Sequence, residues 1–207
     1  MKTSRRAALT MMLALTLSAP AQAASSKFVD VQELMKPGPL PEQSMGSETA
    51  PVTIVEYASM TCGHCQAFHE GAFPALKAKY IDTGKVRFIL REFPLDPLAA
   101  AAFMLARCAP SDDYFGVVDL LFAKQQEWAF VEKPGEALLN VAKQAGFTEA
   151  SFKACLADQK LLDAINEVKT RGAENFGVRA TPTFFINGVL QRGGFSPDEM
   201  DALIPGE

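Results

Sequence analysis

Cys62-Gly63-His64-Cys65 sits between two segments of opposite character, and this junction constrains the fold more than any other feature of the chain. Val52 to Ala58 is almost continuously apolar, the pattern of a strand buried on both faces. Gln66 to Tyr80 has helical spacing, with Phe68, Ala72 and Leu76 on one stripe at steps of four. The cysteine pair therefore falls where a strand ends and a helix begins. A thiol at a helix N-terminus meets unpaired backbone N–H groups and the positive end of the macrodipole, which favour thiolate over thiol. The thiolate is the reactive form in disulfide exchange, and a pair this close can close and reopen without unfolding the chain.

The beginning of the chain reads as an export signal, residues 1–23. Lys2, Arg5 and Arg6 form a basic start, Ala7 to Leu17 is apolar, and Ala21-Gln22-Ala23 offers small residues for cleavage before Ala24. The apolar run is too short to span a bilayer, and no other uncharged stretch is long enough. Sec export is favoured over the twin-arginine route, which Ser4-Arg5-Arg6 fits only loosely. The expected location is the periplasm, as a soluble protein. The signal holds no acids, so losing its three cations takes the net charge from −4 to −7. An acidic surface argues against nucleic acid or anionic membrane as partner. Four cysteines in an exported chain suggest two disulfides. Three pairings are possible, and adjacency selects Cys62–Cys65 with Cys108–Cys155.

Residues 24–50 form a Pro- and Gly-rich arm, in which Phe28 to Leu34 is expected as a short edge strand and the rest as extended chain. Residues 51–97 hold the first strand, the helix and a second strand at Val86 to Leu90. Pro74 is expected to kink the helix. Strand–helix–strand order implies parallel pairing. Residues 98–176 read as a helical insert, with Asp112, Pro134 and Thr148 near helix starts. Residues 177–207 return to strands: Thr183 to Ile186, an Asn187-Gly188 hairpin turn, Val189 to Gln191, and a last helix from Pro197 to Leu203 capped by Ser196. The fold class is α/β, a sheet split by an inserted helical domain.

A strand-to-helix CxxC, an export signal and Thr181-Pro182 directly before a late strand together resemble the thioredoxin superfamily, and more closely its DsbA-like branch, which splits the thioredoxin fold with a helical insert. The resemblance implies that Cys62 is the attacking, more exposed cysteine and Cys65 the buried, resolving one. It implies a cis peptide before Pro182, which exposes the Thr181 backbone to pair with a substrate strand. Glu56 matches the acid buried beneath the active site and, as the only charge in its strand, suits a proton acceptor for Cys65. An imidazolium at His64 would stabilise the Cys62 thiolate and make the disulfide oxidising. Gly63-His64 and Thr181 depart from the residues most common in DsbA and match the isomerase branch. Some DsbA-like relatives carry a second disulfide in the insert, matching Cys108–Cys155 as a structural staple, for which loop entropy gives about 4 kcal/mol.

The implied activity is disulfide donation to reduced or unfolded exported proteins, by a monomer that needs no cofactor and is re-oxidised by a quinone-linked membrane partner of the DsbB type. Within the same chemistry the alternatives are an isomerase or a dedicated reductase; in another class, a metal-binding or scaffold protein without turnover. Cys62, Cys65 and His69 lie on one helix face with His64 nearby, a set with zinc-ligand chemistry. The Thr-Pro strand would then be unexplained, so no metal is assigned. His69 is expected to be a partly exposed helix residue, Glu56 alternatively a structural acid paired with Arg87 or Arg91, and Trp128, Phe122 and Phe130 insert core. Phe184 and Phe185 are expected as strand core.

Overall fold

Alternation along β2 (Val52–Ala58) decides what lies on each side of the sheet. Val52, Ile54 and Ala58 pack into one apolar cluster, whereas Val55 and Tyr57 pack into another on the opposite face. Glu56 shares the face of Ile54 and Ala58. The computed structural model describes residues 28–110, 113–195 and 197–204. The export signal at 1–23 and the helix caps expected at Asp112 and Ser196 lie outside the described residues.

β2 is the centre of a five-stranded sheet of order β1-β3-β2-β4-β5. It runs parallel to β3 (Val86–Glu92) and antiparallel to β4 (Thr183–Ile186). β4 turns through Asn187 and Gly188, both with positive φ, into β5 (Val189–Arg192). The Asn187 side chain reaches back to accept from Thr53 N–H at 2.8 Å, pinning the turn to the central strand. β1 (Gln43–Met45) completes the sheet, antiparallel to β3.

The arm before β2 therefore differs from the expected one. Val31–Leu34 is a short helix, α1, capped by Asp30, while Phe28 makes one isolated bridge to Val189. The arm's strand is β1, and side-chain ties hold the arm down. Arg91 grips the Glu42 carboxylate through Nε at 3.0 Å and Nη2 at 2.7 Å, and also donates to Tyr57. Arg107 donates to the Pro41 carbonyl, and Arg171 to those of Glu33 and Pro37.

The helix after the cysteines also differs. It comes in three pieces: α2 (Gly63–Glu70), α3 (Ala72–Leu76) and a π-helical turn at Lys77–Ile81. The break falls at Gly71 rather than at Pro74. Proline lacks the N–H that would bond four residues back and its ring clashes there, so its disruption appears one turn upstream, at Glu70 and Gly71.

Between β3 and β4 the described residues form six helices: α4 (Pro97–Arg107), α5 (Tyr114–Ala123), α6 (Gln125–Trp128), α7 (Pro134–Gln144), α8 (Glu149–Leu156) and α9 (Gln159–Asn175). A disulfide joins Cys108, just past α4, to Cys155 in α8, with Cα atoms 6.1 Å apart. Trp128 and Phe122 are buried, but Phe130 is 58% exposed and is not core, because the chain has left α6 and is turning through solvent toward α7. Phe184 and Phe185 are fully buried on opposite sides of β4. A last helix, α10 (Pro197–Leu203), closes the fold.

Candidate active site

The turn from β2 to α2 is held from three directions. Within it, the Cys62 N–H donates to the Ser59 carbonyl at 3.1 Å. From the loop before α4, Asp96 accepts from the Thr61 hydroxyl at 2.5 Å while also capping α4 through Ala99 N–H, and Leu95 N–H donates to the Ser59 hydroxyl. From the insert, the fully buried Gln125 of α6 sends its amide N–H groups to the carbonyls of Met60 at 2.9 Å and Cys62 at 3.1 Å. Residues from two distant stretches, together with the turn's own bond, thus fix the backbone on which the cysteines stand.

Both cysteines are free thiols. Cys62 is the N-cap of α2 and keeps 9% exposure; Cys65, one turn in, has none. The Cys62 thiol lies 3.2 Å from the Thr181 carbonyl, and the Thr181–Pro182 peptide is cis, so the residue before β4 faces the Cys62 sulfur with its backbone. Thr181, Pro182 and the cysteines, far apart in sequence, are together in space.

The two thiols titrate in opposite directions. Cys62 is lowered from 9.0 to about 5. The largest cause is the hydrogen bond from Cys65; burial opposes it, and Thr181 adds to the lowering. The backbone N–H groups of Cys65 and His64 contribute last, as an N-terminal turn should. The His64 contribution to the thiol is that of its backbone N–H, and its side chain is exposed to solvent. Cys65 is pushed far upward, by burial first, then by the Cys62 sulfur and the Glu56 charge.

A depressed folded-state value favours the reduced form in one pH window. The gain is complete above about pH 9, shrinks as pH falls toward 5, and is absent below it. Reduced protein should therefore show thiolate absorbance near 240 nm that titrates with a midpoint near 5. A midpoint above 8 would contradict this electrostatic picture.

Glu56 is fully buried on the cysteine side of the sheet. Its partner is neither Arg87 nor Arg91 but His69, whose Nε2 lies 2.9 Å from Glu56 Oε2. Arg91 is occupied by Glu42 and Tyr57 on the other face. His69 is buried, contrary to expectation, because α5 brings Phe122 flat against its ring at 4.4 Å. With Nε2 committed to Glu56, His69 is not placed as a third ligand beside the cysteines. Among the described residues no group of three or more His, Cys, Asp or Glu side chains is arranged to hold a metal ion. Gln125 and the His69–Glu56 contact carried no distinct sequence signal, except that Cys65 and His69 share one stripe of α2.

The sequence model of the Thioredoxin family matches residues 40–205. A protein of Rickettsia bellii, provisionally named a protein-disulfide oxidoreductase, is 34% identical over 164 residues, covering 77% of this chain and 62% of that protein. The chain thus spans about three-fifths of the length of the curated relatives it matches. The crystal structure of alpha-DsbA1 from Wolbachia pipientis superposes with a TM-score of 0.75 at 34% identity, covering 83% of this chain and 92% of that one. BdbD from Bacillus subtilis shares the fold at a TM-score of 0.68 and 21% identity, covering 86% of this chain and 95% of that one.

Proposed function

The chain belongs to the thioredoxin family, in its DsbA-like branch, and from that premise we propose that it is a thiol–disulfide oxidoreductase that donates the Cys62–Cys65 disulfide to exported proteins. The observation that carries this reading is the placement of the pair, Cys62 capping α2 against the cis Thr181–Pro182 peptide and Cys65 buried behind it, which lowers one thiol and raises the other. A stabilised Cys62 thiolate is a good leaving group and favours the reduced enzyme, so the disulfide is a strong oxidant.

In the oxidised enzyme a substrate thiolate attacks Cys62 Sγ, and Cys65 leaves as a thiolate. Burial makes that anion unfavourable, and it takes a proton, for which Glu56 is the acid within the same buried pocket. A second substrate thiolate then attacks the substrate sulfur of the mixed disulfide and expels Cys62 as the stabilised thiolate. The substrate leaves with a disulfide and the enzyme with two reduced cysteines. The Thr181 carbonyl and the cis Pro182 beside Cys62 form the edge on which a substrate strand aligns its cysteine. His64, at the rim, faces the incoming chain. Cys108–Cys155 serves as a staple of the insert. The proposed setting is the periplasm, with a monomeric enzyme re-oxidised by a DsbB-type membrane partner.

The test is the equilibrium reduction potential of the Cys62–Cys65 pair against glutathione, with Cys108–Cys155 intact. A value well above the glutathione poise is expected. A value near that of thioredoxin, about −270 mV, would make the protein a reductase and overturn the donor reading.

A further inference from the structure

Two buried polar atoms stand without partners at opposite ends of one hydrogen-bonded pair. Glu56 holds His69 with Oε2 and leaves Oε1 free; His69 holds Glu56 with Nε2 and leaves Nδ1 free. Their side chains are 0% and 2% exposed. Buried polar atoms are normally satisfied, so two such vacancies in one pair invite a functional account. Toward the cysteines, Glu56 is near enough for a charge on its carboxylate to act on Cys65. Away from them, His69 forms part of the wall of an open cleft of about 330 Å³, with Phe73, Lys77, Asp119 and Phe122. Phe122 stacked at 4.4 Å and Phe73 at 4.8 Å fix the ring plane, so Nε2 stays with Glu56.

We propose that His69 carries protons between Glu56 and the solvent of this cleft, so that Cys65 exchanges its proton behind the active site rather than past the bound substrate. The inference rests on the oxidoreductase reading. When Cys65 leaves as a thiolate, Glu56 in its acid form gives it a proton and becomes a carboxylate. His69 gives its Nε2 proton to that carboxylate while Nδ1 takes one from water in the cleft. One solvent proton has entered and no charge remains in the core beyond the starting state; the ring is left as its Nδ1–H tautomer. Re-oxidation runs the same steps backward. Among the described residues, the ionisable groups facing this pair include Cys65 on α2, Tyr114 and Asp119 on α5 and Lys77 across the cleft. Burial raises Asp119 above its ordinary value, which places an acid beside the outlet.

His69→Gln keeps an N–H for Glu56 but cannot relay a proton; His69→Ala opens a hole into the cleft. The experiment follows single-turnover oxidation of a dithiol peptide by the full-length oxidised protein, from about pH 5 to about pH 9. The Gln variant should slow the reaction roughly tenfold or more near neutral pH while leaving the reduction potential against glutathione in place. The Ala variant should be slow too, and be restored by added imidazole but not by pyrazole, which has the same size and far weaker basicity. In the unsubstituted protein the rate should fall in D₂O. A Gln variant within twofold of the unsubstituted rate at every pH overturns the proposal, as does equal rescue by both azoles or a rate insensitive to D₂O. An unsubstituted protein that oxidises no peptide sinks the oxidoreductase reading itself; active protein with indifferent His69 variants sinks this inference alone.

Discussion

Cys62→Ser is expected to reduce disulfide transfer to the uncatalysed background, and Cys65→Ser to accumulate a covalent adduct instead. The difference follows from access. Cys62 keeps 9% exposure at the head of α2, whereas Cys65 has none, so an outside sulfur meets only the first. In the Cys65→Ser protein, the Cys62 thiolate attacks a peptide disulfide and expels one peptide thiolate. The mixed disulfide that remains has no neighbouring thiol to resolve it. Mass spectrometry under non-reducing conditions should show the peptide on Cys62. Transfer that survives Cys62→Ser, or a peptide found on another cysteine, would remove the basis for the proposed chemistry.

Arg107→Leu is expected to cost about 3–5 kcal/mol of folding stability, the largest loss foreseen for any single surface-reaching side chain here. Glu92, at the end of β3, is fully buried, and its carboxylate relies on Arg107 Nε at 2.6 Å and the Tyr114 hydroxyl at 3.1 Å. Its second oxygen has no partner. Removing the guanidinium strands a charge in the core and also frees the Pro41 carbonyl of the arm. Glu92→Leu together with Arg107→Leu should recover most of the loss, since the cost lies in the orphaned charge rather than in the absent attraction. By contrast, Glu149→Ala breaks an equally short but exposed pair with Lys153 and should leave the urea midpoint close to the parent's. Urea midpoints at constant slope measure all three. A single Arg107 variant within 1 kcal/mol of the parent would show that Glu92 finds water or another donor.

What was legible in the sequence depended on how locally each element is determined. β2 and β4 are apolar runs bounded by turn residues, and the Asn187-Gly188 turn needs positive φ at both positions, which these residues tolerate. α8 begins where Thr148 and Ser151 cap one another, so four residues decide its start. The cysteine site was legible because strand, turn and helix are contiguous, and Thr181-Pro182 because the dipeptide is itself a motif. β1 was not, because a three-residue strand without apolar alternation is placed by the distant grip of Arg91 on Glu42. His69 was misjudged because its burial is decided by where α5 sets Phe122, fifty-odd residues along the chain. Gln125 looks like any polar helical residue until tertiary packing buries it.

The position of Gln125 bears on whether this protein can be made smaller. Its amide spans the Met60 and Cys62 carbonyls from within the helical block. A miniature reduced to the sheet and α2, with residues 97–175 replaced by a short linker, would keep every residue of the CxxC motif and its cis-proline neighbour. It would nevertheless lose the donor that braces the turn, and water would enter against the backbone of Cys62. The helical block is thus part of the working tool rather than a detachable handle, and a transplant that is to retain this site's chemistry has to carry α6 along with it.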